Sequence, residues 1–162
     1  MPGTGTKEAR KANKRGAARL AAVQALYQME LVGGGAEEVT EEFIIHRFEE
    51  TPTDTDFFKS VVEGVPAHQA EIDRAIADCL SENWTLARVD SILRAILRAA
   101  GLELVARRDV PARVVIDEYV GIAHDFFAGD EPGFVNAALD AMARRKRAPE
   151  FGAPVPDDEL GF

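Results

Sequence analysis

Cysteine and long apolar runs are nearly absent from this chain, which has one cysteine, Cys79, among 162 residues. A lone thiol cannot form an internal disulfide, and no CxxC or CxxH spacing suggests a zinc site. The sequence contains no stretch of about 18 apolar residues, the length that a membrane-spanning helix needs. Its start, MPGTGTKEAR, lacks the apolar core of a secretory signal. We therefore expect a cytoplasmic protein without a metal site or a membrane segment.

Catalytic motifs are missing as well. The serines lie outside any GxSxG, the three histidines are scattered singly, and HExxH, GxxxxGK[ST] and GxGxxG do not occur. A hydrolase needs a nucleophile with a base, and the adjacent Asp117 and Glu118 diverge by about 100° on a helix, so they cannot readily share a substrate. We predict that the chain is not an enzyme and binds no cofactor.

Charge is distributed unevenly along the chain, whose net charge is −9. Residues 1–29 contain one acidic residue, Glu8, and six basic ones, and a second basic cluster follows at residues 144–147. The remaining body is strongly acidic, which suits a protein with one anionic and one cationic partner. The first cluster, called the basic arm below, consists of Lys7, Arg10, Lys11, Lys14, Arg15 and Arg19.

Apolar residues recur at helical spacing, whereas sustained period-two alternation and internal repeats are missing, so we predict an all-α fold. The three glycines 33–35 form a linker, not a phosphate loop. The first predicted helix runs from Lys14 to Leu31, and the second follows the glycines and ends at about Glu50. The third begins after a cap at Thr53 or Asp54, and the fourth opens at Pro66 and His68. A buried central helix is predicted from Trp84 to Arg107, and two more helices begin at Pro111 and at about Phe134.

The basic arm is a candidate RNA-binding element, because phosphate binding needs several cations that approach one backbone together. Arg15 and Arg19 share a helix face at their spacing of four residues. Tyr27, on the same helix, could stack on a base. A solvated helix face or a disordered tail would also explain the basic arm, and core packing would also explain Tyr27.

Five groups of residues carry a family resemblance. Residues 22–28 (AVQALYQ) follow Arg19, and a central group contains Trp84, Leu86, Val89 and Asp90 with 95–98 (AILR) and 102–104 (LEL). The others are 109–111 (DVP), 115–118 (VIDE), and 134–136 (FVN) with Leu139 and Asp140. In this order and spacing, over residues 10–145, they resemble the NusB transcription antitermination family.

The resemblance implies a NusB-like fold of about seven helices packed as two small helical bundles, without enzyme activity. The resemblance also implies that the chain binds boxA RNA of nascent transcripts together with NusE, a ribosomal small-subunit protein. Together with other Nus factors it would act on the RNA polymerase elongation complex, mainly in ribosomal RNA operons. The helical RNA-binding domain is expected at 10–147, between a flexible N-terminus, 1–9, and a disordered acidic Pro/Gly-rich tail, 148–162.

Residue roles follow from the same resemblance. Glu103 is expected on the side that faces NusE, or else to be a surface charge. A helix cap is the alternative role for Asp130, and core packing for Phe134. The expected RNA-binding residues are Lys14, Arg15, Arg19, Tyr27, Asp130 and Phe134.

The chain departs from the family pattern at several positions. Gly16 and Ala17 stand where the family's arm often has arginines, which predicts a weaker RNA affinity or a greater dependence on NusE. Upstream basic residues, Lys7 to Lys14, are expected to compensate. Leu102, Asp117 and Ala137 replace the usual tyrosine, asparagine and glycine, which changes local contacts without threatening the fold.

Two other interpretations remain open. One is the NusB-like module fused to ribosomal RNA cytosine methyltransferases, although no methyltransferase domain is expected after Arg147. The other is a helical module that docks proteins without binding RNA specifically. The resemblance is compatible with a monomer or a homodimer, and a homodimer could cover the basic arm.

Overall fold

The computed structural model describes residues 7–49, 51–81 and 84–152, and every regular element in these ranges is a helix. This confirms the predicted all-α fold of seven α-helices. The chain divides into two compact units, Met1–Ala67 and His68–Phe162. The helices are α1 (Lys7–Val32), α2 (Ala36–Arg47), α3 (Thr55–Ala67), α4 (Gln69–Ala77), α5 (Ser91–Ala106), α6 (Ala112–Phe126) and α7 (Glu131–Lys146), with 3₁₀ turns at Leu86–Arg88 and Ala148–Phe151.

In the first unit, α1, α2 and α3 each pack against the other two. The predicted glycine linker joins α1 to α2, and Gly33 and Gly34 have φ values of 92° and 102°, which side chains rarely allow. Asp54 caps α3 as predicted, since its Oδ1 accepts from the Phe57 N–H at 3.0 Å. The buried side chains of α3 are all apolar. The ring of Phe58 stacks on that of Phe43, with 5.7 Å between centroids.

In the second unit, α5 is the central helix that the periodicity predicted, because α4, α6 and α7 all pack on it. Its contact with α4 is close: a Cβ added at Gly101 would lie 3.0 Å from Ile72 Cγ2. Each of the three surrounding helices buries aliphatic side chains, such as Ile76 in α4, Val115 in α6 and Leu139 in α7. Burying each such aliphatic side chain stabilises the fold by about 1.5–3 kcal/mol.

The predicted central helix was too long at its N-terminal end. It begins at Ser91, and Asp90 caps it by accepting from the Ile92 N–H at 2.8 Å. From the first turn of α5, the side chain of Arg94 donates back to the carbonyls of Leu86 and Val89, at 3.0 and 2.7 Å. These bonds satisfy backbone groups that a helix would otherwise pair, so residues 84–90 stay outside α5 although their apolar spacing is helical.

Other boundaries differ by a few residues. Helix α7 begins at Glu131, before the predicted Phe134, because Pro132 in the first helical turn loses no intrahelical hydrogen bond. Helix α2 ends at Arg47, and α4 ends at Ala77. Helix α1 begins at Lys7, so residues 7–9 of the expected flexible N-terminus are helical, and residues 1–6 lie outside the described part.

The first residues of the expected disordered tail, 148–152, belong to the described part of the chain. Residues Ala148–Phe151 form a 3₁₀ turn, in which Glu150 accepts from the Ala112 N–H at 2.8 Å and from Arg147 at 2.6 Å. These bonds hold the turn to the start of α6. The rest of the expected tail, residues 153–162, lies outside the described residues. No described helix is long and apolar enough to cross a membrane.

Candidate nucleic-acid interface

A basic groove lies in the first unit, between the start of α1 and the start of α3. Its volume is about 650 Å³. Four members of the basic arm line one side, and all four are exposed. The lining residues are Lys7, Arg10, Lys11 and Lys14 from α1, and Thr53, Asp54, Thr55 and Asp56 from the start of α3.

The charge of this basic groove is positive, since four cations face two carboxylates. Of those carboxylates, Asp54 is already engaged: its Oδ2 lies 3.5 Å from Arg15 Nε, and its Oδ1 caps α3. Lys7, Lys11 and Lys14 are spaced by four and three residues, which places them on one face of α1. Such a row of cations can follow a chain of phosphates.

Arg15 and Arg19 lie together, as their spacing predicted, but they face the protein. Both guanidinium groups lie over the ring of Phe57, with 4.7 and 4.9 Å between the guanidinium carbon and the ring centroid. Arg19 is only 3% exposed, which disagrees with the direct RNA contact expected for it. A buried guanidinium packed on an aromatic ring stabilises the unit rather than a phosphate. Arg15 is partly exposed, and its RNA contact stays a prediction.

Lys14 and Tyr27 lie on the same helix in different surroundings. Lys14 is exposed and lines the basic groove, in agreement with the position that RNA binding requires of it. Tyr27 is partly exposed. Their contacts with RNA stay predictions.

Asp130 and Phe134 lie one helical turn apart at the start of α7, where the Phe134 N–H donates to the Asp130 carbonyl at 3.1 Å. Asp130 is the residue before the helix, but its exposed side chain makes no capping hydrogen bond. The carboxylate can therefore accept from a ligand. Phe134 is partly exposed, and its ring packs beside that of Trp84, with 6.3 Å between centroids.

Glu103 is fully buried in α5, so it is not the surface charge considered above. Its Oε2 accepts from the Tyr119 hydroxyl at 2.5 Å. This placement disagrees with the direct partner contact expected for Glu103, because a side chain without exposed surface cannot meet a cation of another protein. That NusE binds this side of the unit stays a prediction.

The residues of the second basic cluster, 144–147, also differ in their exposure. Arg147 is 2% exposed and donates to the backbone carbonyls of Glu103, Leu104, Arg107 and Val110 at 2.8–3.0 Å. It ties the C-terminal end of α5 to the loop before α6. Arg144 and Arg145 are exposed in the last turn of α7, where cations also interact favourably with the helix dipole.

Metal-ligating clusters do not occur among residues 7–49, 51–81 and 84–152. The histidines His46, His68 and His124 are exposed and lie on or next to different helices. Burial raises the pKa of the Cys79 thiol, and the charge of Asp78 adds to this, against smaller opposing effects of Arg145 and Lys146. The thiol is therefore held in its less reactive, protonated form.

Two site residues escaped sequence reasoning. Phe57, which holds Arg15 and Arg19, lies far from them in sequence, and its place on the apolar face of α3 gave no sign of that role. Trp84 was assigned to the central helix. The signal that could have separated it was Asp90, a good helix-capping residue placed just before the strongest apolar periodicity.

An all-helical fold with an exposed cationic groove is typical of a nucleic-acid-binding protein. The NusB family model matches residues 16–144, and the chain belongs to this family. It is 54% identical to the transcription antitermination protein NusB of Nitrobacter hamburgensis, over 88% of this chain and 93% of that protein. It is 51% identical to the NusB protein of Maricaulis maris, over 91% of this chain and 99% of that one.

Solved structures show the same fold. A NusB structure from T. maritima matches with a TM-score of 0.74 and 30% identity, over 85% of this chain and 96% of that one. A crystal structure of antitermination factors NusB and NusE in complex with double-stranded RNA matches with a TM-score of 0.70 and 25% identity. It covers 80% of this chain and 95% of the matched chain.

Proposed function

We propose that this chain is a transcription antitermination factor that binds boxA RNA together with NusE. It helps to assemble an antitermination complex on RNA polymerase and so supports ribosomal RNA transcription. The observation that carries the proposal is the basic groove of the first unit, in which four exposed cations from α1 line one wall. Membership of the NusB family supports it, as does the solved complex of a similar NusB chain with NusE and RNA.

The basic groove would supply the affinity that does not depend on sequence. Each lysine or arginine that neutralises a phosphate releases counterions, so binding should weaken steeply with salt. Gly16 and Ala17 add no charge to this stretch of α1. The cations that start at Lys7 therefore take the place of the missing arginines, which shifts phosphate binding towards the N-terminal end of the helix.

Sequence preference would come from other groups. Asp130 offers an exposed carboxylate that can accept from exocyclic amines of bases, and the rings of Tyr27 and Phe134 offer partly exposed faces for stacking. Phosphate contacts position an RNA, whereas base contacts specify it. NusE would add further contacts and raise both affinity and preference.

The direct test is fluorescence anisotropy with a single-stranded RNA that contains boxA and with a scrambled RNA of equal length, with and without NusE, at two salt concentrations. We expect tighter binding of the boxA RNA, an increase in affinity when NusE is added, and weaker binding at higher salt. Equal binding of the two RNAs, or no binding with NusE present, would contradict the proposal. A protein-docking module would then remain.

The larger assembly and the oligomeric state need separate measurements. The proposed function puts the chain in the cytoplasm with RNA polymerase. In a reconstituted transcription assay on a boxA template, omission of the chain should increase termination. The family resemblance also allows a homodimer. Sedimentation velocity without NusE gives the reference, and addition of NusE should produce a complex that contains one copy of this chain and one of NusE. A stable homodimer that excludes NusE and RNA would contradict this.

A further inference from the structure

Trp84 and Phe134 form an aromatic pair on the second unit. Their ring planes are inclined by 48°. Trp84 precedes the 3₁₀ turn Leu86–Arg88, and its N–H donates to the Ser81 carbonyl at 2.9 Å, which fixes its backbone. The Phe134 ring packs beside the indole ring, yet Trp84 remains 52% exposed. The chain thus holds its largest side chain in a defined place with half of its surface in water.

Such an arrangement is costly for the fold alone, because burial of a large aromatic ring is among the strongest sources of stability. A ring that is held in place but exposed loses little conformational entropy when a ligand stacks on it. Protein sites for single-stranded nucleic acid use aromatic rings in this way, since every base has a flat face.

We propose that Trp84 stacks on an unpaired base of the bound RNA, next to Phe134. This inference rests on the proposed function and assigns a base subsite within it. The neighbouring chemistry favours a base over an apolar protein side chain. Asp130 presents an exposed acceptor one turn before Phe134, and Arg88 presents an exposed cation in the adjoining 3₁₀ turn. The Trp84–Phe134 contact joins two segments, 84–88 and 130–134, that together carry a stacking surface, a base-edge acceptor and a phosphate partner.

Trp84 is the single tryptophan of the chain, so its fluorescence reports on this subsite without a label. We would titrate the full chain with single-stranded boxA RNA and record tryptophan emission, and measure affinity by anisotropy in parallel. Stacking on a base should quench the emission along the same binding curve. Trp84→Leu should weaken binding by roughly 5- to 100-fold, and Trp84→Phe, which keeps a ring, by much less.

Phe126 supplies a matched control, because it is an exposed aromatic residue of the same unit, at the end of α6, with 39% exposure. Phe126→Leu should bind RNA like the unchanged chain. Circular dichroism and the thermal midpoint of each variant should match those of the unchanged chain, since Trp84 is half exposed. For a variant that unfolds, the quenching of Trp84 in the unchanged chain still tests the inference.

The outcomes separate the inference from the function on which it rests. If RNA binds but Trp84→Leu binds as tightly as the unchanged chain, the base subsite is wrong and the proposed function stands. If Trp84→Leu weakens binding of NusE in the absence of RNA, the ring is a protein contact and the inference is also wrong. If the unchanged chain binds no RNA with NusE present, both fall.

Discussion

Arg19 in the first unit and Arg147 in the second are both buried, yet their surroundings differ. Arg19 lies over an aromatic ring, that of Phe57, whereas Arg147 donates to four backbone carbonyls and to Glu150. Both belong to basic runs that sequence reasoning gave to anionic partners. Their burial shows that a run of charges can include residues that serve the fold. The two environments should have unequal effects on the free energy of unfolding.

The largest expected effect is that of Arg147→Met. A methionine fills similar space but removes the guanidinium donor from four carbonyls, of which those of Glu103 and Arg107 still accept from a backbone N–H. Loss of these bonds should cost about 3–5 kcal/mol in the free energy of unfolding. Arg147→Lys should recover part of this, because one ammonium cannot reproduce the planar fork. Urea denaturation measures both. Arg145→Met, at an exposed position in the last turn of α7, is the control and should change stability by under about 0.5 kcal/mol.

Tyr119→Phe should follow in size. It removes the hydroxyl that donates to buried Glu103 and leaves that carboxylate with one bond fewer, at a cost of about 1–3 kcal/mol. Tyr27→Phe removes the same hydroxyl from a partly exposed position and should cost less. Equal unfolding midpoints for the two variants would show that the buried bond contributes nothing particular to the second unit.

Arg19→Met should have a smaller effect than Arg147→Met, because an aromatic ring depends less on its cation than carbonyls depend on their donor. It removes a cation from the ring of Phe57, which is worth about 0.5–2 kcal/mol, but methionine itself packs well on aromatic rings. The same denaturation experiment gives the value. If Arg19→Met cost as much as Arg147→Met, aromatic packing and carbonyl binding would not differ as we argue.

Glu150 adds a small, pH-dependent contribution. Burial opposes its ionisation, but hydrogen bonds from Ala112 and Arg147 and the charges of Arg147 and Arg108 outweigh burial and lower its pKa. A lowered pKa stabilises the fold above the ordinary glutamate value of roughly 4.3, and this stabilisation is lost as pH falls through the folded value. Since Glu150 is partly exposed, Glu150→Gln should cost at most about 1 kcal/mol at neutral pH.

The corresponding measurement compares the unfolding free energies of the unchanged chain and Glu150→Gln from neutral pH to below pH 4. We expect the difference to shrink as the pH falls past the usual glutamate pKa. A difference that stays constant, or grows in acid, would show that the carboxylate is not stabilised in its charged form.

Sequence reasoning found the helices because apolar spacing reports directly on which faces are buried, as in α3 and α5. It misjudged residues 84–90, where the same spacing persists while Asp90 and Arg94 take over the backbone hydrogen bonds. Cap and side-chain bonds of this kind depend on contacts in space. The pattern alone therefore could not place the start of α5.

The candidate site was predictable in composition but not in exposure. The basic arm indicated a cationic surface, and Lys14 lies on it, whereas Arg19 and Glu103 turned out to be buried. Their partners, Phe57 and Tyr119, come from other helices, so no local pattern could reveal them. The aromatic pair of Trp84 and Phe134 escaped for the same reason.

The most direct test is the salt dependence of RNA affinity, because our central claim is that exposed cations of α1 contact the RNA. We would compare the unchanged chain, the double variant Lys11→Ala/Lys14→Ala, and Arg19→Met, with boxA RNA and NusE. Each phosphate contact on a single strand contributes about 0.7 to the slope of log affinity against log salt, so the double variant should reduce this slope by about 1.4. Arg19→Met should leave the slope unchanged. A full slope for the double variant, or a reduced slope for Arg19→Met alone, would contradict the account.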